Sequence, residues 1–318
     1  MELYSIKRNK LNNVRLNPFK KEREIQDLVE ENTETLFDIE FVSSEFKIGE
    51  FRIDTLCFDN ETNSFVIIEY KKGSSYSVID QGYSYLSKML NNKDSFILEY
   101  CRKKKVSVDI DVDWSQSRII FVSPSFNSYQ KNSVNYKDMN KFELWEIKRF
   151  DNNTIVLNQY QSKSEESIEK VVGNSDSIIN KVNKEIKVYK EEDHTSKISL
   201  ELLEKWEEYK DLLNELGGVE VVPKGPYMSV MYGSKTLCYC IFKSRQIIVE
   251  IGRGTIKTDG TKSKNFFNID DPKDISKPYS WTWKNGTKGN IYKIRFDNKL
   301  DLNYLMFLVK QKYDSLNS

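Results

Sequence analysis

The sequence contains very little histidine and no long apolar run. His194 is the sole histidine among 318 residues, so catalysis by a histidine base and a histidine-ligated metal site are close to excluded. Oxygen ligands, which suit Mg²⁺ or Mn²⁺, are what remains. No stretch approaches the roughly 18 apolar residues of a membrane span, and no signal peptide opens the chain. We therefore expect a cytoplasmic protein that makes no membrane contact.

Cysteine and net charge are also scarce. The cysteines lack the spacing of a zinc site, and we expect four reduced thiols in strand-like contexts, at Cys57, Cys101, Cys238 and Cys240. The last two alternate on one strand and should both be buried. Lysine and arginine number 49 against 48 acids, a net charge of +1. Any contact with nucleic acid must therefore come from local patches, not from a global field.

Two strand-like runs each carry charge where an apolar residue would be expected. Asp54 lies in the run 53–58, and Glu69 and Lys71 lie in the run 65–71. Side chains alternate along a strand, so Glu69 and Lys71 share one face. Burying charge without a partner is costly. An Asp followed fifteen residues later by Glu-x-Lys suits a metal-dependent phosphodiesterase, since two carboxylates hold the cation and the ammonium stands beside the attacking water and the scissile phosphate. The alternative is a structural ion pair inside a sheet.

The next segment, residues 78–90, is predicted to be a helix. Gln81 and Tyr85 lie four residues apart on it, so both can face the same site. With Asp54, Glu69 and Lys71, this Gln-x-x-x-Tyr spacing resembles the core of the PD-(D/E)xK nuclease superfamily, in particular its RecB-like and NucS-like members. The resemblance covers about residues 20–150. It departs from the motif where Ile53 replaces the proline.

The resemblance implies an α/β fold with a restriction endonuclease-like αβββαβ core, and hydrolysis of phosphodiester bonds in DNA. Asp54 and Glu69 would bind Mg²⁺ or Mn²⁺, with the backbone carbonyl of Tyr70 as a further ligand. Lys71 would position or help to deprotonate the attacking water. The remaining two motif residues, Gln81 and Tyr85, would fix the strand backbone and the entering phosphate.

A helix over residues 19–37 is predicted before the core sheet, and in this superfamily such a helix often lends another acid to the metal. Glu24 and Glu31 are the candidates, and exposed acids of a surface helix are the alternative. The candidate DNA contacts are four consecutive basic residues after the Gln-x-x-x-Tyr helix: Arg102, Lys103, Lys104 and Lys105. Solvated surface charge explains this run equally well.

The composition predicts three segments: an endonuclease-like domain at 1–160, a charged linker at 161–198 that is either helical or a flexible tether, and a smaller α+β accessory domain at 199–318. In the accessory domain, Ser199 should cap a helix, and residues 252–289 are predicted to form a long loop. Tyr279, Trp281, Trp283 and nearby lysines, Lys284 among them, mix stacking surfaces with cations, as in nucleic-acid contacts. A loop pinned by its own tryptophans is the alternative. The linker or accessory domain could form a homodimer, and the accessory domain could bind a ligand or protein.

The function expected from the sequence is that of a metal-dependent DNA nuclease acting in DNA repair or phage defence. The first alternative is a catalytically inactive nuclease-fold module that binds nucleic acid or a protein partner. The second is a switched effector in which the accessory domain acts as the sensor, an idea that rests on analogy of fold alone.

Overall fold

The computed structural model describes residues 2–72, 78–107, 110–135, 139, 141–160, 178–263, 266–282 and 286–316. The chain divides into two compact units, Met1–Val188 and Tyr189–Ser318. In the described part of the chain, none of the helices has the length and apolar character needed to cross a bilayer.

The first unit contains eight strands and six helices among its described residues. In chain order they are β1 Leu3–Lys7, β2 Lys10–Val14, α1 Glu22–Glu30, α2 Thr33–Phe37, β3 Glu40–Ile48, β4 Phe51–Asp59, β5 Ser64–Tyr70, α3 Val78–Leu90, α4 Lys93–Lys104, β6 Arg118–Ser123, α5 Ser128–Ser133, β7 Phe142–Arg149, β8 Ile155–Tyr160 and α6 Ile178–Glu185. The strands β1 and β2 form a separate hairpin. The other six form one sheet in sequential order, in which β5, β6 and β7 run parallel and the remaining neighbours antiparallel.

The α/β class and the αβββαβ order predicted from the resemblance are confirmed, with differences in detail. The predicted helix 19–37 is two helices, α1 and α2, because the first ends at Glu30 and the second begins at Thr33. A second helix, α4, follows α3. Cys101 lies in that helix, so its expected strand context is wrong, whereas the burial of Cys238 and Cys240 is confirmed.

Helices cover both faces of the central strand β5, which explains why the strand is apolar on both sides. Ile67 packs on the face shared with Leu86 of α3. Ile68 packs on the opposite face with Ile25 and Val29 of α1. All five positions from Phe65 through Glu69 are almost fully inaccessible to solvent. A charged residue on this strand is therefore placed in the interior of the unit.

Helix α6 belongs to the first unit, although the sequence assigned it to the linker 161–198. Val182 and Ile186 are buried in the core that contains β5 and α3. The amide oxygen of Asn183 accepts hydrogen bonds from Tyr83 at 3.2 Å and from Lys141 at 2.6 Å. Residues 161–177 lie outside the described residues.

The second unit places helices on one face of an antiparallel sheet. Its elements are α7 Glu192–Thr195, α8 Leu200–Asn214, β9 Val219–Pro223, β10 Met228–Tyr232, β11 Lys235–Lys243, β12 Gln246–Ile256, β13 Ser276–Thr282, β14 Lys288–Phe296 and α9 Leu302–Leu316, with strand order β13-β14-β12-β11-β10-β9. Trp206 of α8 and Leu308 of α9 pack into its core. Ser199 caps α8 as predicted, its hydroxyl accepting from the amide of Leu202 at 3.3 Å. The α+β class predicted for this part of the chain is confirmed.

The predicted loop 252–289 is wrong, because β12 continues to Ile256 and β13 occupies Ser276–Thr282. The strand β13 lies at the edge of the sheet and is exposed at six of its seven positions, so it lacks the apolar alternation that reveals a strand. Trp283 and Lys284 lie outside the described residues. His194, assigned to the linker, is a buried residue of α7 whose Nε2–H donates to the carbonyl of Lys224 at 2.8 Å.

Candidate active site

The site lies where the ladder between β4 and β5 ends. Paired residues run from Asp59 and Ser64 to Thr55 and Ile68. Beyond that point, side chains replace the backbone acceptors. The amide of Tyr70 donates to Oδ2 of Asp54 at 3.2 Å, and the amide of Asp54 donates to Oε1 of Glu69 at 3.3 Å. Each carboxylate thus accepts a hydrogen bond from a backbone amide on the opposite strand, which fixes the two acids side by side.

Lys71 and helix α3 complete the cluster. The Nζ atom of Lys71 lies 3.6 Å from Oε2 of Glu69, whose side chain is only 2% exposed. The amide nitrogen of Gln81 lies 3.3 Å from the same Oε2 and 3.4 Å from the hydroxyl of Tyr85. That hydroxyl donates to the carbonyl of Arg52 at 3.2 Å. The structure therefore brings together all five of the predicted side chains: Asp54, Glu69, Lys71, Gln81 and Tyr85.

Burial of two neighbouring acids controls the electrostatics. Burial, together with the charge of Asp54, raises the pKa of Glu69 from its ordinary 4.5 to about 8. Burial also raises the pKa of Asp54, against the opposing effects of the Tyr70 amide and the Lys71 charge. Neither acid is fully stabilised as an anion by the protein alone. A cation placed between them would favour the ionised form of both.

Tyr70 contributes its backbone alone to this cluster, because its ring points to the other face of the sheet. There its hydroxyl lies 3.1 Å from the hydroxyl of Thr55, which donates to Glu30 at 2.5 Å. That position of the ring agrees with strand alternation, since Glu69 points toward α3. The role of the Tyr70 carbonyl as a metal ligand stays a prediction.

The two acids predicted on the helix before the core sheet, Glu24 and Glu31, are not part of the cluster around Asp54. Glu24 accepts hydrogen bonds from the amides of Lys20 and Lys21 at 3.0 and 3.2 Å and forms an ion pair with Arg149 at 3.1 Å. Glu31 is exposed just after the last residue of α1. None of the described contacts joins either acid to Asp54 or Glu69, so their role as metal ligands stays a prediction that the geometry does not favour.

Two residues near the site were not identified from the sequence. Gln26, buried on α1, donates to the carbonyl of Asp54 at 3.1 Å and to Oε1 of Glu45 at 3.3 Å. Glu45 lies in β3 with a φ of 53°, in the left-handed region, and its Oε2 pairs with Arg52 at 2.9 Å. Its charge acts on Asp54 and raises that pKa further. The sequence does contain a signal for Gln26, because this polar residue lies next to the apolar stripe of α1 and is therefore placed close to the core. None exists for Glu45, because a strained backbone cannot be inferred from residue type.

The basic run after α3 forms the end of α4. Arg102 pairs with Glu99 at 2.8 Å, and Lys104 pairs with Glu40 at 2.7 Å. These acids offset part of the positive charge. DNA binding by Arg102, Lys103, Lys104 and Lys105 stays a prediction.

The two carboxylates of the site suit a hard divalent cation that takes its other ligands from water and substrate. Within the described part of the chain, no group of three or more His, Cys, Asp or Glu side chains is arranged to hold a metal ion. The site offers two carboxylates, both with raised pKa. Mg²⁺ is commonly held by one or two carboxylates, with waters and substrate phosphate oxygens completing its shell. Asp54 and Glu69 fit that pattern, and they do not fit an all-protein cage.

Comparison with known proteins gives one relative along the whole chain. No family model matches the sequence. An uncharacterized protein of Haemophilus influenzae is 40% identical over 319 residues, which cover 98% of this chain and 99% of that protein.

Matches among solved structures are partial. The complex of EndoMS with double-stranded DNA is 20% identical with a TM-score of 0.27, covering 42% of this chain and 47% of that one. A repair endonuclease from Pyrococcus abyssi is 20% identical with a TM-score of 0.25, covering 41% of this chain and 48% of that one. This chain therefore spans about half the length of those two chains.

Proposed function

We propose that this chain, which belongs to the same family as the Haemophilus influenzae protein, is a metal-dependent DNA nuclease that hydrolyses phosphodiester bonds. The observation that carries the proposal is the cluster at the open end of the β4–β5 ladder. A buried carboxylate, Glu69, and a half-buried one, Asp54, both with raised pKa, stand beside one ammonium group on neighbouring core strands where charge would otherwise be costly. Perturbed pKa values of this kind are concentrated at functional sites.

The metal would be held by Asp54 and Glu69, with the Tyr70 carbonyl as a further oxygen ligand. When bound, Mg²⁺ or Mn²⁺ supplies Lewis-acid stabilisation of negative charge on the phosphate oxygens. The protein's own part is orientation. Backbone amides on the neighbouring strands hold both carboxylates, so little reorganisation is needed before the substrate arrives.

Lys71 acts on the phosphate and on the attacking water. Its ammonium nitrogen lies 3.6 Å from Oε2 of Glu69, and its side chain is 22% exposed, so Lys71 contacts a buried carboxylate and also reaches the solvent side of the site. From this position it donates hydrogen bonds to the attacking water and offsets the negative charge that grows on the phosphoryl oxygens. An interaction that strengthens as that charge develops increases the rate more than it increases substrate affinity.

Gln81 and Tyr85 position the other groups. Gln81 donates to Glu69 and so fixes the rotamer of that carboxylate. Tyr85 bonds to the backbone of Arg52, two residues before Asp54 on the same strand. Burial, reinforced by the charge of Glu69, raises the pKa of the Tyr85 hydroxyl, which therefore stays a hydrogen-bond donor at neutral pH.

The test uses the full-length protein, stripped of metal with EDTA. It is incubated with single-stranded, duplex, supercoiled and flap DNA in Mg²⁺, Mn²⁺ or Ca²⁺. The wild type should cleave with Mg²⁺ or Mn²⁺. Lys71→Met should lower the rate by about 10²- to 10³-fold, the range for loss of one charge-stabilising group.

Matched controls separate the site from general effects of charge. Asp151→Asn removes an exposed carboxylate between β7 and β8, Lys243→Met removes an exposed ammonium group on β11, and both variants should cleave like the wild type. DNA that is bound but never cleaved with any of the three metals would favour the alternative, an inactive binding module. Unchanged cleavage by Lys71→Met would show that the site is assigned wrongly.

A further inference from the structure

An aromatic ring is exposed beside the candidate active site. Phe51 begins β4, three residues before Asp54, and 40% of its surface is accessible. A single exposed apolar residue is common on protein surfaces and needs no explanation by itself. The neighbours of this ring are what distinguish it.

Two side chains of α3 support the ring of Phe51. Tyr85 meets it edge to face, with ring centroids 6.2 Å apart and an interplanar angle of 76°. The Nζ atom of Lys88 lies 5.1 Å from its centroid. Tyr85 is in turn bonded to Gln81, which bonds to Glu69. Two hydrogen bonds therefore connect the support of the exposed ring to the buried carboxylate.

The backbone also holds the ring in place. Phe51 pairs with Ile48 across a hairpin whose two turn residues are Gly49 and Glu50. Gly49 has a φ of 59°, a conformation that glycine adopts without strain and that favours a tight two-residue turn. The ring is thus fixed at the base of a short hairpin.

Positive charge lies on one side of the exposed ring, where Lys88 packs against it. Arg52, the next residue along the strand, points to the opposite face, where its guanidinium pairs with Glu45 at 2.9 Å. An exposed aromatic ring beside a cation is an arrangement by which proteins bind single nucleic-acid strands, since a base stacks on the ring and a phosphate meets the cation.

We propose that Phe51 stacks one unpaired nucleobase next to the scissile phosphate, while Lys88 contacts a neighbouring backbone phosphate. This inference rests on the proposed nuclease function and adds its substrate class, which is DNA with unstacked bases at the cleavage position. A regular duplex meets this requirement only after a base is unstacked, at a cost of a few kcal/mol. Single-stranded DNA should therefore bind more tightly than a blunt duplex of the same sequence.

The experiment measures binding and stacking without cleavage. Full-length protein in EDTA is titrated into a short single-stranded oligonucleotide that carries fluorescein for anisotropy, or an internal 2-aminopurine for base stacking. Phe51→Ala should weaken binding by roughly 5- to 150-fold, the range of base–aromatic stacking contributions, and Phe51→Trp should retain it. The 2-aminopurine emission should fall on binding to the wild type and stay unchanged with Phe51→Ala.

The control is Phe307→Ala, which removes a phenylalanine of matching exposure, 43%, from α9. It should bind like the wild type. Equal affinities for Phe51→Ala and Phe307→Ala, or no binding of single-stranded DNA by the wild type, would overturn the inference. If the wild type cleaves no DNA with Mg²⁺ or Mn²⁺ while Phe51→Ala still loses binding, the nuclease proposal fails and the nucleobase contact stands. If Phe51→Ala binds normally and the wild type cleaves, the nucleobase contact fails and the nuclease proposal stands.

Discussion

Ionising Glu69 in the metal-free protein should destabilise the fold, and glutamine at this position should remove most of that effect. The side chain is 2% exposed, and burial beside Asp54 raises its pKa from 4.5 to about 8. Each pKa unit corresponds to about 1.4 kcal/mol, so charging Glu69 in the folded chain costs up to about 5 kcal/mol relative to the unfolded chain.

The direction of the pH dependence follows from proton binding. Between pH 4.5 and about 8 the folded protein holds a proton that the unfolded chain has released. The free energy of unfolding therefore falls as the pH rises through this window. Glu69→Gln cannot ionise, so its stability advantage over the wild type should grow across the window and be largest above it. Asp54, whose pKa is also raised, remains in the variant, so the slope should become smaller without vanishing.

Hydrogen exchange can follow this effect in the first unit alone. Exchange is measured by mass spectrometry on peptides that cover β5, in EDTA, at several pH values, with the intrinsic rate corrected for pH. Protection of the wild type should fall with pH more steeply than protection of Glu69→Gln. Asp151→Asn, which removes an exposed carboxylate from the first unit, should follow the wild type. Identical pH slopes for the wild type and Glu69→Gln would refute the argument.

Three further predictions concern the metal, the domain boundary and the basic run. Asp54→Asn should abolish Mn²⁺ binding in calorimetry while the melting temperature changes little, because the asparagine oxygen still accepts from the Tyr70 amide. Retained Mn²⁺ affinity would contradict the assignment. A fragment ending at Val188 should melt cooperatively, whereas one ending at Gln161 should be less stable in urea, because it lacks the buried Val182 of α6 and Ile186 just after it; equal stabilities would show that this segment contributes nothing. Neutralising Lys103 and Lys105 together should make the salt dependence of DNA binding shallower, by about 0.7 to 0.9 in the log–log slope for each lost phosphate contact, and an unchanged slope would return the run to solvated surface.

Local pattern was enough to predict most of the first unit. The helix Val78–Leu90 has the predicted bounds, and the strand-like runs 53–58 and 65–71 match β4 and β5 to within two residues, since strong apolar patterns define them. The placement of charge within the two core strands was also enough to find the cluster around Asp54. Both signals are local, and both are tied to burial.

Features without a buried stripe were missed. The hairpin of β1 and β2 is exposed at most positions, and the edge strand β13 is exposed almost throughout. The helix α4 contains only three buried residues, so its periodicity is weak. Glu45 was missed for a different reason, because its importance comes from backbone conformation and from contacts with distant residues.

At the end of the β4–β5 ladder, side-chain oxygens take the place of backbone acceptors, and this has a consequence for relatives of this protein. Asp54 and Glu69 serve the sheet as acceptors for part-buried backbone amides, independently of their charge. An alanine at either position would leave such an amide unsatisfied, at a cost of about 1 to 3 kcal/mol. A lineage that abandons hydrolysis is therefore expected to keep an oxygen at these two positions. Inactive relatives should therefore carry asparagine at position 54 and glutamine at position 69, not small apolar residues.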